Sequence, residues 1–191
     1  MVSPISKSAR EIKQYPNSSQ FPDNSNYDLV EEVFPDGSIY KGEKLNSKRH
    51  GKGKFIYSDG GVYEGDWKLG RMDGYGALYY ADHSIAYEGE WKADKFEGRG
   101  ILYNEKNSID YSEKSYDLKN LDNLNNHWVK YEGSFMEDKK EGSGILFFPN
   151  GDKISGTFSG DKLSGKNCIL YKKKGEVVKG EWKDNKLIKL N

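Results

Sequence analysis

The sequence predicts an all-β protein: a single elongated antiparallel β-meander sheet of consecutive hairpins. Three observations lead there. All 22 glycines lie between Gly37 and Gly180, and none falls in 101–132. An aromatic-x-Gly-x-aromatic element recurs around Gly42, Gly65, Gly89, Gly133, Gly156 and Gly180, spaced 23, 24, 44, 23 and 24 residues apart. Within each copy, apolar and polar residues alternate with a period of two, which puts one set on each face of a strand. Recurrence at this interval is the mark of a repeat architecture.

Taken in chain order, residues 1–35 are rich in Ser, Pro and Asn (Pro16-Asn17-Ser18-Ser19, Pro22-Asp23-Asn24-Ser25-Asn26) and predict a disordered or extended N-terminal tail. The repeat domain spans 36–183 in about six units. Its clearest copies are Tyr63-Glu64-Gly65-Asp66-Trp67, Tyr87-Glu88-Gly89-Glu90-Trp91 and Tyr131-Glu132-Gly133-Ser134-Phe135. A second glycine follows nine residues on, at Gly51, Gly74, Gly98, Gly142 and Gly165. Four of these continue as Gly-x-Gly, and Asn167 stands where the fifth would. A short polar turn and a second strand rich in β-formers, such as Gly74 to Tyr80, complete each hairpin. Asp59-Gly60, Asp82-His83 and Asn150-Gly151 mark the turns between units. About eleven strands at ~4.8 Å would make a slab roughly 50 Å long.

The 44-residue interval holds one period plus an insert over 106–128. Leu118, Leu121 and Leu124 are spaced for a short helix, but the segment reads as a surface loop, with a lid over the sheet or a partner contact as the alternative. The sixth copy ends at Trp182 with one strand, leaving 184–191 as a C-terminal tail and an open edge guarded by Lys183, Lys186 and Lys189. Such an edge would also admit a homodimer.

Glycine inside a strand normally weakens it. Its recurrence here is explained if aromatic rings from neighbouring strands lie in the space it opens. A single curved sheet with no second layer should then leave part of that aromatic face exposed as a groove. Tyr63, Trp67, Tyr87, Trp91, Tyr131, Phe135, Phe158 and Trp182 are the candidate anchors for a partner.

These copies resemble the MORN repeat (membrane occupation and recognition nexus), with Tyr63 to Gly76 matching its pattern almost position for position. The resemblance covers 36–183 apart from the insert. It implies an elongated, often twisted sheet with an aromatic concave face, and adaptor roles in cytoskeletal, axonemal, cortical and membrane-junction assemblies. MORN repeats also occur fused to lipid kinase and methyltransferase domains, for which the residues outside the repeats are too few.

The remaining signals are weak. Lys and Arg equal Asp and Glu at 30 each, so the basic excess of a nucleic-acid binder is absent. No apolar run approaches the ~20 residues of a membrane-spanning helix. The one cysteine, Cys168, fits a reducing, cytoplasmic setting and a small buried role. Gly160 to Asn167 nearly matches a P-loop, but Asn167 replaces the Mg²⁺-binding hydroxyl and no strand–helix context surrounds it. The Gly-x-Gly pairs lack the third glycine of a dinucleotide fingerprint. His50, His83 and His127 are scattered, so no metal and no cofactor is expected. The acids of the Tyr-Glu-Gly-Glu/Asp-Trp elements read as a solvated face. Lys172, Lys173 and Lys174 head a lysine-rich C-terminal stretch that could touch anionic lipid. The expectation is therefore a non-catalytic scaffold that holds a helix or extended peptide in its aromatic groove, with phosphoinositide or anionic-membrane binding as the alternative.

Overall fold

A computed structural model describes residues 27–104, 119–124 and 127–191. They form one open antiparallel sheet whose strands follow chain order. β1 (Asp28–Val33), β2 (Ile39–Leu45), β3 (Lys48–Ile56), β4 (Val62–Lys68), β5 (Arg71–Tyr79), β6 (Ile85–Lys92) and β7 (Lys95–Tyr103) precede the insert. β8 (Lys130–Met136), β9 (Lys139–Phe147), β10 (Lys153–Ser159), β11 (Lys162–Leu163), β12 (Gly165–Tyr171), β13 (Val177–Lys183) and β14 (Lys186–Leu190) follow it. Two-residue β11 pairs β10 beside the main path.

Both ends differ from the sequence expectation. β1 lies within the expected N-terminal tail and pairs with β2 along its whole length, Asp28 against Lys44 to Val33 against Ile39. Only residues 1–26 of that tail fall outside the described residues. The expected C-terminal tail holds β14, paired with β13, so the sixth copy is a complete hairpin and Trp182 is not on the edge.

One face of the sheet is built by a tyrosine lying flat along its own strand. Tyr63 covers Gly65 and, across the ladder, Gly76; a Cβ on Gly76 would come within 2.6 Å of ring atoms Cε2 and Cζ. The Tyr63 hydroxyl donates to the carbonyl of Asp66 at 2.9 Å. Tyr40, Tyr87 and Tyr131 do the same to Glu43, Glu90 and Ser134. The ring thus comes from the glycine's own strand and not only from the strand next door. The second aromatic of units two to four stands edge-on between two tyrosines: Trp67 between Tyr40 and Tyr63, Trp91 between Tyr63 and Tyr87, Phe135 between Tyr87 and Tyr131, with centroids 5.1–5.4 Å apart. Phe158 continues the row against Tyr131. Trp67 and Trp91 donate their indole N–H groups to the carbonyls of Gly53 and Gly76. T-shaped pairs of this kind contribute about 0.5–1.5 kcal/mol each beyond area burial.

The row closes on itself. The four tyrosines are fully buried, and Trp67, Trp91, Phe135, Phe158 and Trp182 are 2–5% exposed. Orthogonal rings fill the space that a second layer would otherwise fill, so the open groove of anchors expected on this face does not form. Burial also pushes the Tyr40 and Tyr131 phenols up to about 12, and Tyr63 and Tyr87 further in the same direction. In units five and six Ile154 and Val178 stand where tyrosine would. There Leu163 and Cys168 press on Gly156 instead. A register shift between Gly165 and Cys168 brings Cys168, not Asn167, to the glycine position. The thiol is buried, and burial pushes its pKa up.

The first three hairpins each carry a bulge where the acid after the central glycine folds back. Asp66 accepts the N–H of Tyr75 at 2.9 Å, Glu90 that of Arg99 at 2.8 Å, and Glu43 that of Lys52 at 3.3 Å. These acids are therefore structural, not merely a solvated face. Gly74, at φ +119°, lies beneath the Asp66 carboxylate. The hairpin turns use two residues at positive φ, such as Ala93 and Asp94, which suits the twist of the flanking strands. The second turn residue then clamps the preceding unit. Asp94 donates its N–H to the Met72 carbonyl at 2.9 Å and accepts the Met72 N–H at 2.8 Å. Asp138, Asp161 and Asn185 make the same pair of bonds to Phe96, Lys140 and Leu163.

The insert straps the sheet. Residues 105–118, including Leu118, lie outside the described residues, as do 125–126. Leu121–Leu124 forms one 3₁₀ turn. Lys119 accepts the Leu187 N–H at 2.7 Å, Leu121 donates to Asn185 at 2.9 Å, and Asp122 accepts from the Asn185 amide at 2.8 Å. Leu187 holds the position in its unit that Met72 holds in the second, so the insert fills the seat that a seventh unit's turn would clamp. Leu121 is buried in the aromatic core, and Trp128 packs against that core with the Lys140 ammonium 5.1 Å from its ring.

Candidate functional site

With the aromatic face sealed, a concavity lies on the opposite face. A shallow trough of about 890 Å³ runs across it from Tyr75 on β5 to Asn167 on β12. Its floor is a row of directly paired residues, Glu88 against Ile101, Ile101 against Glu132, Glu132 against Ile145, and Ile145 against Ser155, and the row continues past the trough's lining as Ser155 against Ile169. Ile101, Ile145 and Ile169 are half-buried, with no layer above them among the described residues. Gly100, Gly133 and Gly144, which receive rings on the other side, and Gly156, which receives Leu163 and Cys168, leave backbone at the trough's base.

The trough is acidic in its lining, with Glu88, Glu90 and Glu132 against Arg99. Glu88 accepts from the Tyr103 hydroxyl at 3.2 Å, and Glu132 is paired with Lys130. The next row alternates aromatics and lysines, with Lys130 4.7 Å over Phe147 and Lys153 5.2 Å over Tyr171. Ser143, Thr157 and Asn167 line the other margin. In the N-terminal units the corresponding rows are occupied by cross-strand ion pairs, Lys41 to Glu31 at 3.0 Å, Lys52 to Asp66 at 2.6 Å and Lys54 to Glu64 at 3.7 Å. Isoleucine replaces charge only over units three to five. That substitution is legible in the sequence at Ile101, Ile145 and Ile169, but the aromatic periodicity is the stronger signal and marks the other face.

The other candidates take ordinary places. Gly160 to Asn167 is a turn followed by the β11–β12 strand, not a strand–loop–helix. His50 accepts the Leu69 N–H at 3.5 Å and stacks on Tyr27, and His83 sits in a turn at φ +65°. Among the described residues, no group of three or more His, Cys, Asp or Glu could hold a metal ion. No helix among them is long and apolar enough to cross a membrane. Of the three lysines proposed for lipid, Lys172 is tied 3.4 Å from the buried carboxylate of Asp152, which also accepts the Lys173 N–H at 2.9 Å. Lys173 and Lys174 remain exposed at the β12–β13 turn.

The architecture defines an open antiparallel repeat sheet whose units are single hairpins. Compared with known families, the chain matches the MORN repeat over residues 40–62, 63–85, 87–108 and 131–153, and it is a MORN-repeat protein. Units five and six lie beyond the matched residues, where Ile154, Val178 and Cys168 break the tyrosine–glycine pattern while the sheet continues. No curated protein matches the sequence. Among solved structures it is similar to the TCP domain of Drosophila melanogaster SAS-4 (dCPAP), determined with a proline-rich motif of Ana2 (dSTIL). The identity is 14%, with 95% of this chain and 85% of that chain covered, at a TM-score of 0.44. A likeness that loose bears on no binding argument.

Proposed function

We propose that the protein is a non-catalytic scaffold that holds a segment of a partner protein in the trough over β5–β12. The observation that carries this is the isoleucine row on a sheet face that no described residue covers, set in a concavity of about 890 Å³. Seven strands at ~4.8 Å give the trough a length of roughly 29 Å, enough for about nine residues of extended chain. The sealed aromatic row of Tyr63, Trp67, Tyr87, Trp91, Tyr131, Phe135, Phe158 and Trp182 serves as the rigid backing that keeps the trough's shape. A rigid site binds with less ordering cost than a mobile one. In the setting implied by the family resemblance, the scaffold works in a cytoskeletal, axonemal or cortical assembly.

The experiment compares partners recovered by proximity labelling and co-purification with wild type, with Ile101→Asp/Ile145→Asp, and with Lys173→Ala/Lys174→Ala. The isoleucine variant should lose its partners while retaining the β-sheet circular dichroism of wild type, and the lysine variant should keep them. Full recovery by the folded isoleucine variant would refute the trough as the binding face.

A further inference from the structure

Given that the trough is the partner site, its lattice restricts what can lie in it. Interior strands already spend their N–H and C=O groups on the ladder, so an added strand has nothing to pair with. An occupant must contact side chains, and it must run across the strands, along the trough. In that direction like residues recur on every second strand: Glu88 and Glu132 are two strands apart, and so are Ile101, Ile145 and Ile169. The repeat is thus about 9.6 Å, and concavity shortens it slightly at the surface.

A polyproline-II helix repeats its face every three residues, about 9.3 Å. An extended strand repeats every ~6.6 Å. An α-helix repeats every seven residues, about 10.5 Å, and drifts out of register in the opposite sense. Polyproline II also carries no internal hydrogen bonds, so its carbonyls are free to accept from Ser143, Thr157 and Asn167 at the margin. Charge fixes the remaining choice. Three carboxylates and one guanidinium line the trough, and the Lys130 ammonium beside it pairs with Glu132; the balance is still negative, so the row of the occupant that meets Glu88 and Glu132 is basic.

We propose that the trough binds a proline-rich polyproline-II segment of a partner protein with Lys or Arg at every third position. Its basic residues meet Glu88 and Glu132, and its prolines lie over Ile101 and Ile145.

The test uses the full chain and a fluorescent nonapeptide of three Pro-Pro-Lys repeats, read by anisotropy. It should bind saturably and weaken as salt rises. Binding should fall at least tenfold for the Pro-Pro-Glu analogue, and at least tenfold in Glu88→Lys/Glu132→Lys. Absence of binding, equal binding of the two peptides, or tighter binding of an amphipathic helical peptide of the same net charge would overturn the proposal. These failures are separable from failure of the site. If Ile101→Asp/Ile145→Asp still loses its cellular partners, the face stands and the occupant is of another class. If that variant keeps them, the face itself is wrong.

Discussion

Two of the recurring glycines, at different positions of the repeat, do different jobs. Gly76 is the floor on which the Tyr63 ring rests, and the ring cannot retreat. Its hydroxyl is bonded to Asp66, and Trp67 and Trp91 stand against its two sides. Gly165 has the expected spacing within its unit, yet a Cβ there would meet nothing nearer than the Cys168 sulfur at 3.5 Å, at a φ any residue adopts. Gly76→Ala should therefore cost about 2 kcal/mol or more through overpacking. Gly165→Ala should be neutral or stabilise by up to about 1 kcal/mol through loss of unfolded-state entropy. Urea midpoints at constant slope measure both; similar losses at the two sites would show that ring packing is not what the glycines serve. Spacing in the sequence revealed that glycine recurs. It also sets the two apart, Gly76 eleven residues after its central glycine and Gly165 nine, but it could not show the ring that rests on one or the open space beside the other.

At the scale of the hairpin, what joins units is the turn. Gly70, Asp94, Asp138, Asp161 and Asn185 all fall five residues after a central glycine, and four of the five clamp the preceding strand with both backbone and side chain. Asp and Asn suit the place twice over. They tolerate positive φ, and their Oδ1 reaches the neighbouring N–H. Asp94→Ala should cost about 1–2 kcal/mol, from the lost acceptor and the strained φ of 71° together. Asp94→Asn, which copies Asn185, should stay within about 0.5 kcal/mol of wild type. Thermal or urea unfolding of the pair separates the clamp from simple charge, since a loss as large in the asparagine variant would make the negative charge itself the cause. This feature was visible as an offset of five all along. A turn's own composition already accounts for polar residues there, and only the structure shows the strand they reach.

Across the whole molecule, contacts run between neighbouring hairpins, as in other repeat arrays whose stability is roughly a sum of unit and interface terms. The strap breaks that locality. It brings Leu121 to Asn185, a contact that no periodicity in the sequence could announce, since it joins the third interval to the sixth copy. The meander, the hairpin period and the place of the insert were legible because each is local or repeated; the strap and the identity of the open face were not, because both depend on how distant units close. The strap's consequence is confined by the same one-dimensional logic. Leu121→Asp removes a buried apolar side chain worth about 1.5–3 kcal/mol from the seat at β14 only. Amide exchange should then accelerate at least tenfold at Leu187, whose N–H is held by Lys119. Exchange at Met72, clamped in the same way by Asp94 between units two and three, should not change. Equal acceleration at both would mean the array opens as one cooperative body. No acceleration at Leu187 would mean the terminal hairpin holds that amide without the strap.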